Sequence, residues 1–132
     1  MKLVRPIDAV YPMTERYNVF HKYMVFDCPV GTYVKAAEAG VVLKSHDDPN
    51  HMLGKHMIVI NHKKDIKLIF AYLDSIIFNT GCPIAKGEVI ALSGQTGSCR
   101  EPCLYFQAKI SSSEEPFEPE LISEQGDTNG TV

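Results

Sequence analysis

Apolar residues in this chain fall in short runs separated by glycine, proline and polar clusters. Runs of that kind between turn residues predict strands rather than helices. Residues 32–36 (TYVKA) follow the turn Pro29-Val30-Gly31, and residues 40–44 (GVVLK) start on a glycine. Residues 45–55 are polar, with Asp47, Asp48, Pro49, Asn50 and Gly54, and read as a loop. Residues 56–61 (HMIVIN) predict a buried strand, His62-Lys63-Lys64-Asp65 a hairpin turn, and residues 66–73 the returning strand. Gly81, Gly87, Gly94 and Gly97 then separate the runs 75–78, 83–84, 88–93 and 103–110. No long helix is expected, because Gly40 cuts short the helix formers of Ala36-Ala37-Glu38-Ala39. Strands at this spacing predict an all-β sandwich or barrel. The polar, glycine-containing stretch 123–132 predicts a disordered tail, which leaves 1–122 as one folded domain.

Composition narrows the picture. At 132 residues the chain has room for one core and not for two. The net charge of −3 is unevenly placed: without the six acidic residues from Glu114 onward, 10 acidic side chains face 13 basic ones. So mild a basic body argues against nucleic acid as partner, and permits an anionic wall polymer or membrane surface without requiring either. No stretch is apolar enough to span a bilayer. The opening Met1-Lys2-Leu3-Val4-Arg5-Pro6 has no apolar core of a signal peptide. The expectation is a protein that stays where it is made, cytoplasmic or phage-encoded, or one whose leader has been trimmed. Cys28, Cys82, Cys99 and Cys103 do not have zinc-ribbon spacing and are expected to be mostly free thiols. A disulfide among Cys28, Cys99 and Cys103 stays open.

Several motifs, read in order, point further. His21-Lys22-Tyr23-Met24-Val25-Phe26-Asp27-Cys28-Pro29-Val30-Gly31-Thr32 resembles the pattern His, three residues, Asp, three residues, Pro-x-Gly-Thr. Gly54 to His62 resembles Gly-Asn-x-Val-x-Ile-x-His, and Ala71-Tyr72-Leu73 stands where Ala-His-Leu would. Residues 81–90 resemble a Gly-x-x-Val-x-x-Gly-x-x-Ile turn pair, and Gly94-Gln95-Thr96-Gly97 resembles Gly-x-Thr-Gly. Pro102-Cys103-Leu104-Tyr105-Phe106 takes the place of Pro-His-Leu-His-Phe. This series is similar to that of the lysostaphin-like (LytM-type) zinc endopeptidases, over about Pro6 to Pro119. The resemblance implies a twisted antiparallel sheet with a groove, a barrel-sandwich hybrid of the duplicated hybrid motif group.

The resemblance also implies what should be in that groove. Active members hold zinc with the first His, the Asp four residues later and the second His of His-x-His, leaving a position for water. The His of Ala-His-Leu and the first His of His-x-His handle protons and the developing oxyanion. Carried over by position, only His21 keeps its residue type; the others are Val25, Tyr105, Tyr72 and Cys103. A valine cannot ligate, and a neutral phenol is a poor ligand near neutral pH. The expectation is therefore no catalytic residue and no cofactor, with His21 a weak metal candidate at most.

Each position has a plain reading beside the sharp one. His21 is either a remnant ligand or a hydrogen-bonded groove histidine. Asp27, on the face of Val25 if the segment is extended, is either a displaced ligand or an exposed turn-capping residue. Cys103 with His21 is either a thiolate–imidazole pair or an inert buried thiol. His46 and His51, with Asp47 and Asp48, either edge the groove and gather a metal or are solvated. His56 and His62 read as structural. Tyr72 and Tyr105 either floor a binding groove or fill an emptied zinc cavity.

Two functions compete, a third being weaker. The first is an inactive peptidase fold that binds peptidoglycan, a peptide or a protein in the old groove, since degenerate relatives serve as regulators or scaffolds in cell-wall machinery. The second is an active zinc endopeptidase cleaving peptidoglycan cross-bridges with relocated ligands, His21 and Asp27 plus a loop histidine. A biotinyl- or lipoyl-type carrier would need its modified lysine at a hairpin tip with its signature neighbours, and the chain has no such motif.

Overall fold

The computed structural model describes residues 1–123. The expected disordered tail lies, from residue 124, outside the described residues. Twelve strands and no helix occur among the described residues: β1 (Lys2–Val4), β2 (Met13–Glu15), β3 (Met24–Asp27), β4 (Tyr33–Lys35), β5 (Gly40–His46), β6 (Lys55–Asn61), β7 (Ile66–Ile76), β8 (Pro83–Ile84), β9 (Val89–Ser93), β10 (Cys103–Ile110), β11 (Pro116–Phe117) and β12 (Glu120–Ile122). Nothing among them forms a helix able to cross a membrane.

The main sheet is antiparallel and open, in the order β2-β3-β10-β7-β6-β5-β8, with β9 joining β4 to β7. One edge of β10 is divided: Cys103 to Phe106 pair with β3, and Ala108 and Lys109 with β11. β1 and β12 form a separate parallel pair. The core follows from alternation along these strands. On β10, Leu104, Phe106 and Ala108 are buried, whereas Tyr105, Gln107 and Lys109 are half-exposed. Phe26, Phe70 and Phe106 meet the inward residues of β6, β7 and β9 in one cluster, with the Phe70 and Phe106 rings 5.3 Å apart.

Two expectations are corrected here. The loop read over 45–55 is shorter, because β5 runs on to His46 and β6 begins at Lys55. Cross-strand pairing of His46 with His56 carries the ladder past the polar residues. The run 66–73 and the start of the run 75–78 form one long strand, β7, which ends at Ile76 and has a left-handed residue at Tyr72.

Candidate functional site

The register of β3 and β10 puts the motif residues on one face. Tyr105 lies opposite Val25, and Cys103 opposite Asp27. With a period of two, Tyr23 joins Val25 and Asp27 on that side. Its ring stacks on Tyr105 at 4.7 Å and 27°.

Tyr72 arrives from β7 by a backbone irregularity. Up to Ala71 that strand pairs with β10, and from Leu73 it pairs with β9. Tyr72 stands at the change of partner with φ +64°, a left-handed conformation uncommon for a bulky residue. The Tyr72 N–H donates to the Leu53 carbonyl at 2.9 Å, and the ring meets Tyr105 edge-on at 5.6 Å. Gly54 and Gly97 brace this loop. A Cβ on Gly97 would lie 2.4 Å from the Gly54 nitrogen, so the two turns touch backbone to backbone.

Between these elements opens a cleft of about 310 Å³, lined by Thr14, Glu15, Val25, Asp27, Tyr72 and the turn 98–103. Glu15, Asp27, Arg100 and Glu101 bring charge to this lining, whereas the thiols and phenols beside them are neutral. Burial, then Cys99 beside it, pushes the Cys103 thiol up to about 12. Burial, then Tyr72 and Tyr23, pushes the Tyr105 phenol up to about 12. Burial likewise raises Tyr72 and Cys99. The cysteines Cys28, Cys82, Cys99 and Cys103 are free thiols, so no disulfide closes this turn.

The site does not fit the zinc ion that the motif series implies. Catalytic zinc needs three N, O or S donors and one open position. Val25 offers no donor and is buried. Tyr105 keeps its proton at neutral pH and lies between two other rings. The exposed His21 shares a 2.9 Å hydrogen bond between its Nδ1 and the Tyr23 hydroxyl and does not line the cleft. Among the described residues no three His, Cys, Asp or Glu side chains are placed to hold a metal ion.

Residues 19–119 match Peptidase family M23. The chain belongs to this family. It is 30% identical over 98 residues to the peptidoglycan DD-endopeptidase ShyA of Vibrio cholerae, covering 74% of this chain and 22% of that protein. It is 31% identical over 88 residues to the murein hydrolase activator EnvC of Escherichia coli, covering 67% of this chain and 20% of that protein. The chain thus spans about a fifth of the length of these relatives. Its fold superposes on the catalytic domain of lysostaphin from Staphylococcus simulans with a TM-score of 0.73 at 22% identity, over 83% of this chain and 90% of that one. The lysostaphin-like, all-β architecture expected from the motifs is the one observed.

Within this M23 fold the structure sorts the candidate residues. Val25, Asp27, Tyr72 and Cys103 line the cleft, and Tyr105 adjoins it through its ring contacts with Tyr72. His21 is bonded to Tyr23 and forms no pair with Cys103. His46 and His51 are not on the cleft lining; they pack on His56 instead. Sequence reasoning missed Tyr23, Glu15 and the wall 98–102. Counting back two from Val25 along a strand would have found Tyr23.

Proposed function

We propose that this M23 domain is catalytically inactive and works as a binding or regulatory module through the cleft beside Tyr72 and Cys103. One observation carries this reading: the four positions that would serve metal and proton chemistry, Val25, Tyr72, Cys103 and Tyr105, form a packed set of neutral groups. In the metal-free cleft a thiol and a phenol held near 12 keep their protons and do not exchange them at neutral pH. The cleft offers instead an aromatic wall, a carboxylate at Asp27 and hydrogen-bonding groups at Thr14 and Ser98. That is the lining of a recognition site for a peptide, a sugar or a protein segment.

The relatives give the ligand a class. The endopeptidases among them act on peptidoglycan by name, and the EnvC relative is named as an activator of murein hydrolases. Peptidoglycan, or a protein that handles it, is accordingly the partner proposed here.

Two measurements test this. Purified protein incubated with insoluble peptidoglycan and added zinc should release no soluble fragments, yet should co-sediment with the wall. Tyr72→Ala should cut that co-sedimentation by roughly tenfold, the effect of losing one buried aromatic contact. Zinc-dependent fragment release that Asp27→Ala abolishes would establish the alternative, an endopeptidase with relocated ligands.

A further inference from the structure

The hairpin of β5 and β6 carries a cluster that the cleft does not use. His46 and His56 are paired across the strands. Their rings stack 4.7 Å apart at 27°, and His51 from the loop closes the group at 5.0 Å from His46 and 4.7 Å from His56. Three imidazoles in mutual contact are tolerated as neutral rings and not as cations.

Backbone partners fix how two of the rings are protonated. The Leu53 N–H donates to His51 Nδ1 at 3.0 Å, so that nitrogen must be bare. The Gly54 carbonyl lies 2.9 Å from His56 Nδ1, so that nitrogen must carry the proton. A proton added to His51 at Nδ1 removes the acceptor for Leu53. A proton added to His56 at Nε2 places a cation on a ring only 5% exposed. The loop these rings hold is the one that braces the cleft. The Leu53 carbonyl accepts from Tyr72 N–H at 2.9 Å, the Met52 carbonyl from Ser98 N–H at 2.9 Å, and the Pro49 carbonyl from Gly97 N–H at 3.2 Å.

We propose that His46, His51 and His56 form a pH-sensitive latch, which as neutral rings holds loop 47–54 against Tyr72 and the turn 96–98, and which lets go when mild acid protonates it. No carboxylate is among the groups that bear on His56. Lys44 on β5 is itself positive and bears on His56. Asp47 is paired with Lys55 of β6 at 3.6 Å, and Asp48 accepts from the Asn50 N–H at 2.9 Å. On β7, the backbone carbonyl of Asp74 accepts from Lys55 Nζ, and Tyr72 is an un-ionised phenol at these pH values. On the packed turn, Cys99 is a neutral thiol. Burial, despite the bond to Gly54, holds His56 below the usual imidazole value, and His46 and His51 lower it further. The direction follows from His56: its folded-state value lies below the unfolded one, so the advantage of the closed arrangement is whole above about pH 6.5 and shrinks as pH falls below it.

Regulation of ligand binding by this latch rests on the proposed use of the cleft; the latch itself is tested without any ligand. Amide hydrogen exchange of the full chain, followed by NMR from about pH 7.5 to about pH 5 and corrected for the intrinsic rate, reports the backbone bonds directly. Protection of Leu53, Tyr72 and Ser98 should fall together by at least about tenfold, with one midpoint, while that of core amides such as Phe70 and Phe106 holds. His51→Asn keeps an acceptor where Nδ1 stood but cannot titrate, and the exposed site tolerates it. In that variant the three amides should lose less than half of the wild-type effect. Protection that does not change with pH, or that falls equally in wild type and His51→Asn, overturns the proposal. Failure of peptidoglycan binding would leave these amide results standing and would count against the cleft alone.

Discussion

Tyr72 shows how much one residue can depend on its setting. It adopts φ +64° where β7 exchanges β10 for β9 as its neighbour. A non-glycine residue there costs about 1–2 kcal/mol, which the surrounding bonds of Leu53 and Thr96 must offset. Thr96 Oγ1 donates to the Leu73 carbonyl at 2.7 Å and accepts from the Lys55 N–H at 3.1 Å, fixing the chain beside Tyr72. Replacing the ring and relieving the backbone can therefore be separated. Tyr72→Ala and Tyr72→Gly should lose wall binding alike, but the glycine variant should be the more stable by about 1 kcal/mol, as read by urea denaturation. Equal stabilities would mean that the left-handed conformation carries no strain. None of this is legible in Ala71-Tyr72-Leu73, because the conformation is imposed by a loop nineteen residues earlier in the chain, the difference between Tyr72 and Leu53. What is legible is the residue type at each motif position, Val25, Cys103 and Tyr72 among them.

At the scale of elements, alternation and turn chemistry did most of the work. β10 runs over the residues expected for it, Cys103–Ile110, since an apolar run after Pro102 can hardly begin elsewhere. The short strands β1, β2, β11 and β12 escaped notice because two or three residues carry no period of their own and are fixed by their partners. The histidine cluster escaped for a related reason: its members meet only once the β5–β6 register is known. The turn after β6 offers a test of how one connection is held. Glu38 is 5% exposed and accepts from the Ala39 N–H at 2.9 Å and from Lys64 Nζ at 2.7 Å. Burial alone would raise this carboxyl, but Lys64 and the Ala39 N–H outweigh it and keep it below the usual carboxylate range. A group whose folded-state value is depressed stabilises the fold above its unfolded value and ceases to as pH falls through the folded one. Glu38→Gln should accordingly cost about 1–2 kcal/mol near pH 7, and the gap between variant and wild type should narrow below about pH 4.5. Denaturant curves at both pH values check this; a gap that persists in acid would mean that packing rather than charge holds the turn.

For the molecule as a whole, the order of the motifs carried the fold, and the departures from them carry the function proposed above. That division has a physical basis. Glycine turns and apolar strands are dictated by backbone geometry and burial, which leave a mark in any sequence adopting this sheet. A site that recognises a ligand by shape leaves no comparable mark, and only the losses at Val25, Tyr72, Cys103 and Tyr105 show in the chain. The parallel pairing of β1 with β12 has a mechanical consequence. Lys2 lies opposite Glu120 and Val4 opposite Ile122, so tension applied at residues 1 and 123 would slide the two strands lengthwise past each other. The bonds from Glu120 N–H to Met1 and from Arg5 N–H to Ile122, 2.9 and 2.8 Å long, would then bear load together rather than break in succession. Leu3, 1% exposed, anchors that clasp in the core. Stretching single molecules by these two residues should give one abrupt rupture, and Leu3→Ala should lower its force by speeding forced unfolding.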